Sequence, residues 1–205
     1  AHQLSGRLAE AERIYREVLK ANPRHSGALH LLGLVAFQAG NVDAAAQCIQ
    51  QAIRIDGGQP AFHANLGNVC RAQGRLDDAA ACLEQALRLK PDMVEAENTL
   101  GTILQAQGKP REAVSRYQHA TAVRPEYADA HNNLGTAYSD LGQWDDALAS
   151  YGRAIAVAPN YAKAHYNLGI ALKVLERVDE AEAALRQAVA IDDHYLEAHL
   201  MLATL

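Results

Sequence analysis

The chain has 205 residues, of which 49% are hydrophobic and 21% charged, and its formal net charge is −5. This composition excludes an intrinsically disordered chain. The acidic balance argues against a nucleic-acid-binding protein, which would carry a basic excess. No apolar run reaches the roughly 18–20 residues of a membrane-spanning helix, so we expect no membrane partner.

The first residues and the cysteines bear on the cellular compartment. Residues 1–6 carry no secretory signal pattern, and the chain does not begin with methionine, so we expect it to be cut from a longer protein. The cysteines, Cys48, Cys70 and Cys82, form no Cys-x-x-Cys pair, and their odd number argues against a disulfide framework. We therefore expect a reduced, cytoplasmic location. A periplasmic protein with buried thiols is the alternative.

Several series of residues repeat every 34 residues along the chain. Leu-Gly pairs lie at residues 32–33, 66–67, 100–101, 134–135 and 168–169. A second glycine series with the same spacing is Gly6, Gly40, Gly74, Gly108 and Gly142, and an alanine series is Ala11, Ala45, Ala79, Ala113, Ala147 and Ala181. Several independent series with the same spacing do not arise by chance, so these positions predict an array of repeats.

Each period predicts two helices joined by a glycine turn. In the period that contains residues 64–87, the first helix carries the Leu-Gly pair, Gly74 supplies the turn, and the second helix places apolar residues three and four apart. Pro91 then ends the pair. A glycine inside a helix costs about 1 kcal/mol relative to alanine. Its presence predicts that another helix packs closely against it, with small alanines such as Ala79 as the facing residues.

These motifs resemble the tetratricopeptide repeat over the whole chain. The resemblance implies an all-α fold, a right-handed superhelix of antiparallel helix pairs. In chain order, a partial repeat at 1–25 precedes full repeats at 26–59, 60–93, 94–127, 128–161 and 162–195, and a further repeat begins at 196–205, all in a single array over 1–205. The departures are local: Gly57 and Asp193 stand where proline is usual, and Glu176 replaces the turn glycine.

The resemblance further implies that the first helix of each repeat lines a concave groove that binds an extended peptide or partner protein. Asparagine, with one acceptor and two donors, recurs at the fifth, sixth and ninth positions of the repeats. The predicted peptide-binding residues are Asn65, Asn68, Asn98, Asn132, Asn133 and Asn167, together with Lys163, which stands at the second position of its repeat. We expect the combined replacement of Asn65, Asn133 and Asn167 by alanine to weaken binding with little effect on folding. The alternative is that these amides are only solvated or cap their own helices.

Asparagine at the sixth position is also similar to the ladder in O-linked N-acetylglucosamine transferases and their bacterial SPINDLY-type relatives. Residues 130–135, Ala-His-Asn-Asn-Leu-Gly, and residues 164–169, Ala-His-Tyr-Asn-Leu-Gly, resemble that family. The resemblance implies a substrate-recruiting region whose catalytic domain would lie beyond residue 205. The ladder is interrupted at Thr99 and absent at Leu31. The carboxylate clamp that holds chaperone C-termini is disfavoured, because only Asn133 and Lys163 match its pattern.

The remaining polar residues indicate no chemistry. One histidine stands at the fourth position of several repeats, at His63, His131, His165 and His199. Packed helices lie roughly 8–10 Å apart, whereas Zn–N bonds are about 2.0–2.1 Å, so we expect packing residues. Cys48 and Cys82 repeat in the same way and are expected to lie too far apart for a disulfide. The acidic pairs at 77–78 and 145–146 fall in the first turn of a second helix, where they favour the helix dipole.

No phosphate-binding loop, nucleophile elbow or His-Glu-x-x-His motif is present in the sequence. The sequence therefore predicts a protein-interaction scaffold that is not an enzyme and has no catalytic residue, metal or cofactor. The alternative from another class is a structural assembly protein that self-associates through array ends or convex faces.

Overall fold

The computed structural model describes residues 2–205, with side chains from residue 7 onward. Over that range the chain forms twelve α-helices and no strand. The helices are α1 (His2–Ala21), α2 (Ser26–Gln38), α3 (Val42–Ile55), α4 (Pro60–Ala72), α5 (Leu76–Leu89), α6 (Val94–Ala106), α7 (Pro110–Val123), α8 (Ala128–Asp140), α9 (Trp144–Val157), α10 (Ala162–Val174), α11 (Val178–Ile191) and α12 (Leu196–Leu202). The predicted all-α fold is confirmed. None of the described helices is both long and apolar enough to cross a membrane.

The chain divides into two compact units, Ala1–Ile103 and Leu104–Leu205. In unit one, α2 packs on α3 and α4 on α5 as antiparallel pairs, while α1 packs on α2 and α3 on α4. In unit two, the pairs are α8 with α9 and α10 with α11, and α7, α9 and α11 each pack on the helix that follows. Each unit is therefore built by the stacking of helix pairs on their neighbours in sequence. The prediction of a single array over 1–205 stays a prediction.

The turns inside the helix pairs follow the glycine series. Gly40, Gly74, Gly108 and Gly142 adopt positive φ angles of 82°, 74°, 73° and 71°, a left-handed conformation that L-residues with a Cβ avoid. Helices end before these glycines and resume just after them, as predicted. Glu176, at the equivalent position, adopts φ 59°. The missing glycine therefore leaves the turn in place and puts strain on one residue.

The Leu-Gly glycines allow the two helices of a pair to approach closely. A Cβ at Gly67 would lie 2.8 Å from Leu83 Cγ and 3.2 Å from the Ala79 carbonyl oxygen. At Gly135 the nearest atom would be Cε1 of Tyr151, at 2.6 Å. The glycine thus faces a large side chain of the second helix. This refines the prediction, since the alanine contributes its backbone beside that larger partner.

The cores combine these large residues with the buried alanines. In unit two, Ala147, Tyr151 and Ala171 form one buried cluster, and Leu185, Ala188 and Ala198 form another. In unit one, Ala79, Leu83 and Ala86 are completely buried. Both helices of a pair therefore contribute to the cores, the first helices with residues such as Leu66 and Val69. The acidic pairs lie in the first turns of α5 and α9, as predicted.

Candidate functional site

In unit one, two of the predicted asparagines border a surface cavity of about 170 Å³. Asn65 and Asn68 are three residues apart on α4, so their side chains lie on the same helix face. Both are half-buried. The complete lining consists of Ala61, Ala64, Asn65, Asn68, Leu83, Met93, Glu95 and Ala96. The cavity therefore joins an apolar interior to a polar rim.

Asn65 is held by a residue of the preceding repeat. Its Nδ2 lies 2.8 Å from Nε2 of His30. The His30 ring is 8% exposed and stacks on Phe62, with ring centroids 4.4 Å apart. Burial lowers the pKa of His30, so the ring is neutral near pH 7 and its Nε2 accepts the hydrogen bond from the Asn65 amide. This contact fixes the Asn65 amide with its Oδ1 available to a ligand.

Asn68 and Asn98 differ from Asn65 in their surroundings. Over the part of the chain that the structure describes, no side-chain hydrogen bond engages Asn68. Its amide therefore offers both donor and acceptor groups at the rim of the cavity. Asn98 is half-buried on α6, and its carbonyl oxygen accepts a hydrogen bond of 3.0 Å from the Thr102 hydroxyl.

In unit two, three predicted asparagines form one hydrogen-bonded group. Oδ1 of Asn132 accepts a bond of 2.9 Å from Nδ2 of Asn167, and Nδ2 of Asn132 donates to Oδ1 of Asn133 at 3.4 Å. Asn132 is 0% exposed, whereas Asn133 and Asn167 are half-buried. The expectation that Asn132 lies on the exposed groove face is therefore corrected: the packing of α10 beside α8 encloses its side chain, which serves as a link between the other two amides.

The hydrogen bonds His30–Asn65 and Asn132–Asn167 join residues with the same spacing in sequence. Each joins the fifth position of one repeat to the sixth position of the next, 35 residues later. The sequence pattern predicts Asn65, Asn132 and Asn167 as separate groove residues and does not predict this pairing. Polar residues at both positions are visible in the sequence. Predicting the hydrogen bond between them also requires knowing how two successive first helices lie beside each other.

Lys163 is exposed near the beginning of α10. No carboxylate among the described residues lies within ion-pair distance of it. Its position leaves the ammonium group in solvent, and its assignment to a peptide site stays a prediction.

The fourth-position histidines share a structural contact. In each, Nε2 donates to the backbone carbonyl six residues earlier: His63 to Gly57 at 2.9 Å, His131 to Pro125 at 2.8 Å, His165 to Pro159 at 3.0 Å and His199 to Asp193 at 3.0 Å. These hydrogen bonds connect the first helix of a repeat to the turn that precedes it. Among residues 7–205, whose side chains the structure describes, no three histidine, cysteine or acidic side chains come together in a group that could hold a metal ion.

Two of the cysteines are neighbours across one helix pair. Burial raises the pKa of the Cys70 thiol, and burial together with the nearby Cys70 raises the pKa of Cys82 to about 11. Both are free thiols. The repeat spacing relates Cys48 to Cys82 and does not predict the closeness of Cys70 and Cys82 within one repeat.

Unit two also carries a shallow cavity of about 480 Å³ at the turns before α8 and α10. It is lined by Tyr127, Ala128, Asp129, Ala158, Pro159, Asn160 and Tyr161. The Tyr161 hydroxyl donates to Asp129 Oδ1 at 2.6 Å, and burial and this carboxylate raise the pKa of Tyr161 above its usual range. This surface is not predicted from the sequence.

Comparison with protein-family models finds tetratricopeptide repeats in overlapping or adjoining stretches of the chain. The models described as tetratricopeptide repeat match residues 2–60, 61–126, 117–149 and 162–195, and one described as TPR repeat matches residues 135–174. No curated protein matches the sequence.

Solved structures of several repeat proteins share the fold. YrrB, described as a TPR protein with an unusual peptide-binding site, has a TM-score of 0.77 at 21% identity, over 93% of this chain and 98% of its own. MamA has a TM-score of 0.75 at 24% identity, over 81% of this chain and 97% of its own. PilF of Pseudomonas aeruginosa has a TM-score of 0.84 at 18% identity, over 100% of this chain and 93% of its own. At these identities the similarity establishes the fold alone.

Proposed function

Because this chain belongs to the tetratricopeptide repeat family, we propose that it is a protein-interaction scaffold that holds an extended peptide against the first helices of its repeats. The observation that supports this most directly is the unit-one cavity, where Asn65 and Asn68 border an apolar hollow. Clefts with an apolar lining and a few placed polar groups are the usual form of ligand sites.

The amides suit the backbone of a peptide. Asn65 keeps its Oδ1 as an acceptor for a peptide N–H, and Asn68 keeps both kinds of group. Such contacts recognise an extended chain through its main-chain groups, independently of its side chains. Each neutral hydrogen bond contributes about 0.5–1.5 kcal/mol net.

The test is a selection of phage-displayed random heptapeptides on the whole chain, followed by titration of a labelled enriched peptide. Asn68→Ala is expected to weaken binding by about 0.5–1.5 kcal/mol. Gln51→Ala is the matched control, because Gln51 is an exposed amide on the second helix α3. The proposal is wrong if no peptide is enriched above background, or if the two variants bind equally well.

A narrower form of the proposal makes this segment the substrate-recruiting region of an enzyme related to the O-linked N-acetylglucosamine transferases. Its support is asparagine at the sixth position in Asn65, Asn133 and Asn167. The coding sequence of the parent protein after residue 205 tests it. A parent chain without a glycosyltransferase domain rules this form out and leaves the broader proposal standing. We also propose that the segment itself has no catalytic activity and that the protein is cytoplasmic.

The alternative is an assembly protein that binds further copies of itself. The observation that favours it is the apolar surface of α12, where Leu196 and Leu200 are 64% and 59% exposed. Large exposed aliphatic side chains on one helix mark surfaces that other protein segments cover.

A further inference from the structure

The unit-one cavity exists because the fifth position of its repeat carries a methyl group. That position holds Ala64, whereas the other complete repeats carry His30, Asn98, Asn132 and Tyr166 there. Where the larger side chains His30 and Asn132 stand, they are buried and fill their own surroundings. Ala64 leaves the corresponding space open, and the result is a hollow of about 170 Å³.

Three helices supply an apolar floor to this hollow. Ala64 of α4, Leu83 of α5 and Ala96 of α6 are 8%, 0% and 4% exposed. Met93, a flexible apolar side chain, forms a half-buried wall. Water inside the hollow finds few polar partners there, so an apolar group displaces it favourably. A cavity of about 150 Å³ in another protein holds benzene, so this hollow has room for one aliphatic side chain.

The rim adds two kinds of recognition. Asn65 and Asn68 lie one helical turn apart in the lining, and their amides can hydrogen-bond the backbone of a peptide that enters the hollow. Glu95, exposed on α6, is the one ionisable residue of the lining. Its carboxylate attracts a cation placed beside the entering side chain and repels an anion.

We infer that this cavity is a side-chain pocket for a peptide partner in which a leucine-sized aliphatic residue stands beside a lysine or arginine. The inference rests on the proposed function and adds the chemical class of the partner. The aliphatic side chain fills the space above Ala64, Leu83 and Ala96, the backbone meets the Asn65 and Asn68 amides, and the cation lies against Glu95.

The experiment uses the heptapeptides enriched on the whole chain and one synthetic peptide of the enriched sequence. We expect an aliphatic residue next to a basic one in the enriched set. Replacing that aliphatic residue by glycine in the synthetic peptide is expected to weaken binding by about tenfold or more. Replacing the basic residue by glutamate is expected to weaken it several-fold, with a smaller loss at high salt.

Variants of the protein locate the effect. Ala64→Asn fills the hollow with a side chain that other repeats carry at this position, and it is expected to weaken binding about tenfold. Glu95→Gln is expected to remove the preference for the basic residue. Ala81→Asn, at an exposed position of α5 in the same unit, is the matched control and is expected to bind like the unchanged chain.

The outcomes separate this inference from the proposed function. Enriched peptides that are acidic, or that bind Ala64→Asn and the unchanged chain equally, overturn the pocket and leave the scaffold proposal intact. The absence of any enriched peptide overturns both. If Ala64→Asn fails to fold in a thermal melt, the glycine-substituted peptide on the unchanged protein still decides, because undiminished binding of that peptide refutes the pocket.

Discussion

At the scale of single residues, the amides of the first helices have two roles. Asn68 offers its amide at the rim of a cavity, whereas Asn65 and Asn167 also hydrogen-bond the preceding repeat. The structure therefore replaces the expectation that substituting Asn65, Asn133 and Asn167 would leave folding nearly unchanged. A buried polar group that loses its partner costs more than an exposed one, because water cannot replace the lost bond.

Asn167→Ala is expected to lower the free energy of unfolding by about 1–3 kcal/mol, because Oδ1 of the buried Asn132 then loses its donor. Urea denaturation followed by circular dichroism measures the change. Gln187→Ala is the control, an exposed amide on α11 whose loss is expected to change the stability by less than about 0.5 kcal/mol. Equal stabilities of the two variants would show that the Asn132–Asn167 bond contributes little.

The lowered pKa of His30 predicts a pH dependence of stability with a definite sign. Burial disfavours the protonated ring in the folded state, whereas the unfolded chain takes up a proton near the ordinary pKa of about 6.5. Stability from this residue is therefore complete above about pH 6.5 and is lost as the pH falls below it. Urea denaturation between about pH 8 and pH 5 should show a steeper loss for the unchanged chain than for His30→Asn.

The control for this pH dependence is Gln187→Ala, which removes an exposed amide and no titratable group. That variant is expected to keep the slope of the unchanged chain. A slope that His30→Asn leaves unaltered would mean that the His30 ring is protonated alike in the folded and unfolded states.

At the scale of helices and turns, glycine sets two different features. In the first helices it removes the Cβ that would collide with the second helix, and in the turns it allows a left-handed backbone. The first demand is steric packing and the second is local conformation, so substitutions at the two kinds of position act through different terms. The chain contains a matched comparison for each.

Gly67→Ala is expected to destabilise the protein by about 1–3 kcal/mol, because the added Cβ would lie 2.8 Å from Leu83 Cγ. Gly152→Ala on α9 is the comparison, since no atom lies within 4 Å of a Cβ built there. Alanine's helix preference is expected to stabilise that variant by up to about 1 kcal/mol. Thermal and urea denaturation of both variants test the pair, and a change of the same sign in both would contradict the packing explanation.

Glu176→Gly is expected to stabilise the turn between α10 and α11 by about 0.5–1 kcal/mol, because glycine adopts the left-handed conformation without the cost of a Cβ. The reverse change, Gly142→Ala, is expected to cost about 1–2 kcal/mol at the equivalent turn. Urea denaturation measures both effects. A loss of stability in Glu176→Gly would show that the glutamate side chain contributes more than the backbone strain costs.

At the scale of the whole molecule, each unit has its own core and its own set of amides. Unit one combines amides with a cavity, and unit two joins three amides through the buried Asn132. In repeat proteins stability is close to a sum over repeats and their interfaces. Substitutions in one unit are therefore expected to act locally, which allows the cavity to be altered without removing the fold.

The oligomeric state separates the scaffold proposal from the assembly alternative. As a scaffold, the protein is expected to elute as a single species whose mass does not change between about 1 and 100 μM, a range that reveals associations of ordinary strength. Size-exclusion chromatography with light scattering measures this mass. Growth of the mass with concentration, abolished by Leu200→Glu on α12, would favour the assembly function instead.

The helix pairs, their turns and the close contact at the Leu-Gly glycines are predictable from the amino-acid sequence alone. A left-handed turn and a close helix–helix contact each exclude nearly every residue but glycine. Glycine at positions 74 and 67 therefore indicates the local backbone geometry directly. The burial of Asn132, the hydrogen bond between His30 and Asn65, and the hollow lined by Ala64 emerge only from the packed structure. These outcomes depend on how the first helices of successive repeats lie beside one another, and residues 35 positions apart reveal that placement only once they are packed.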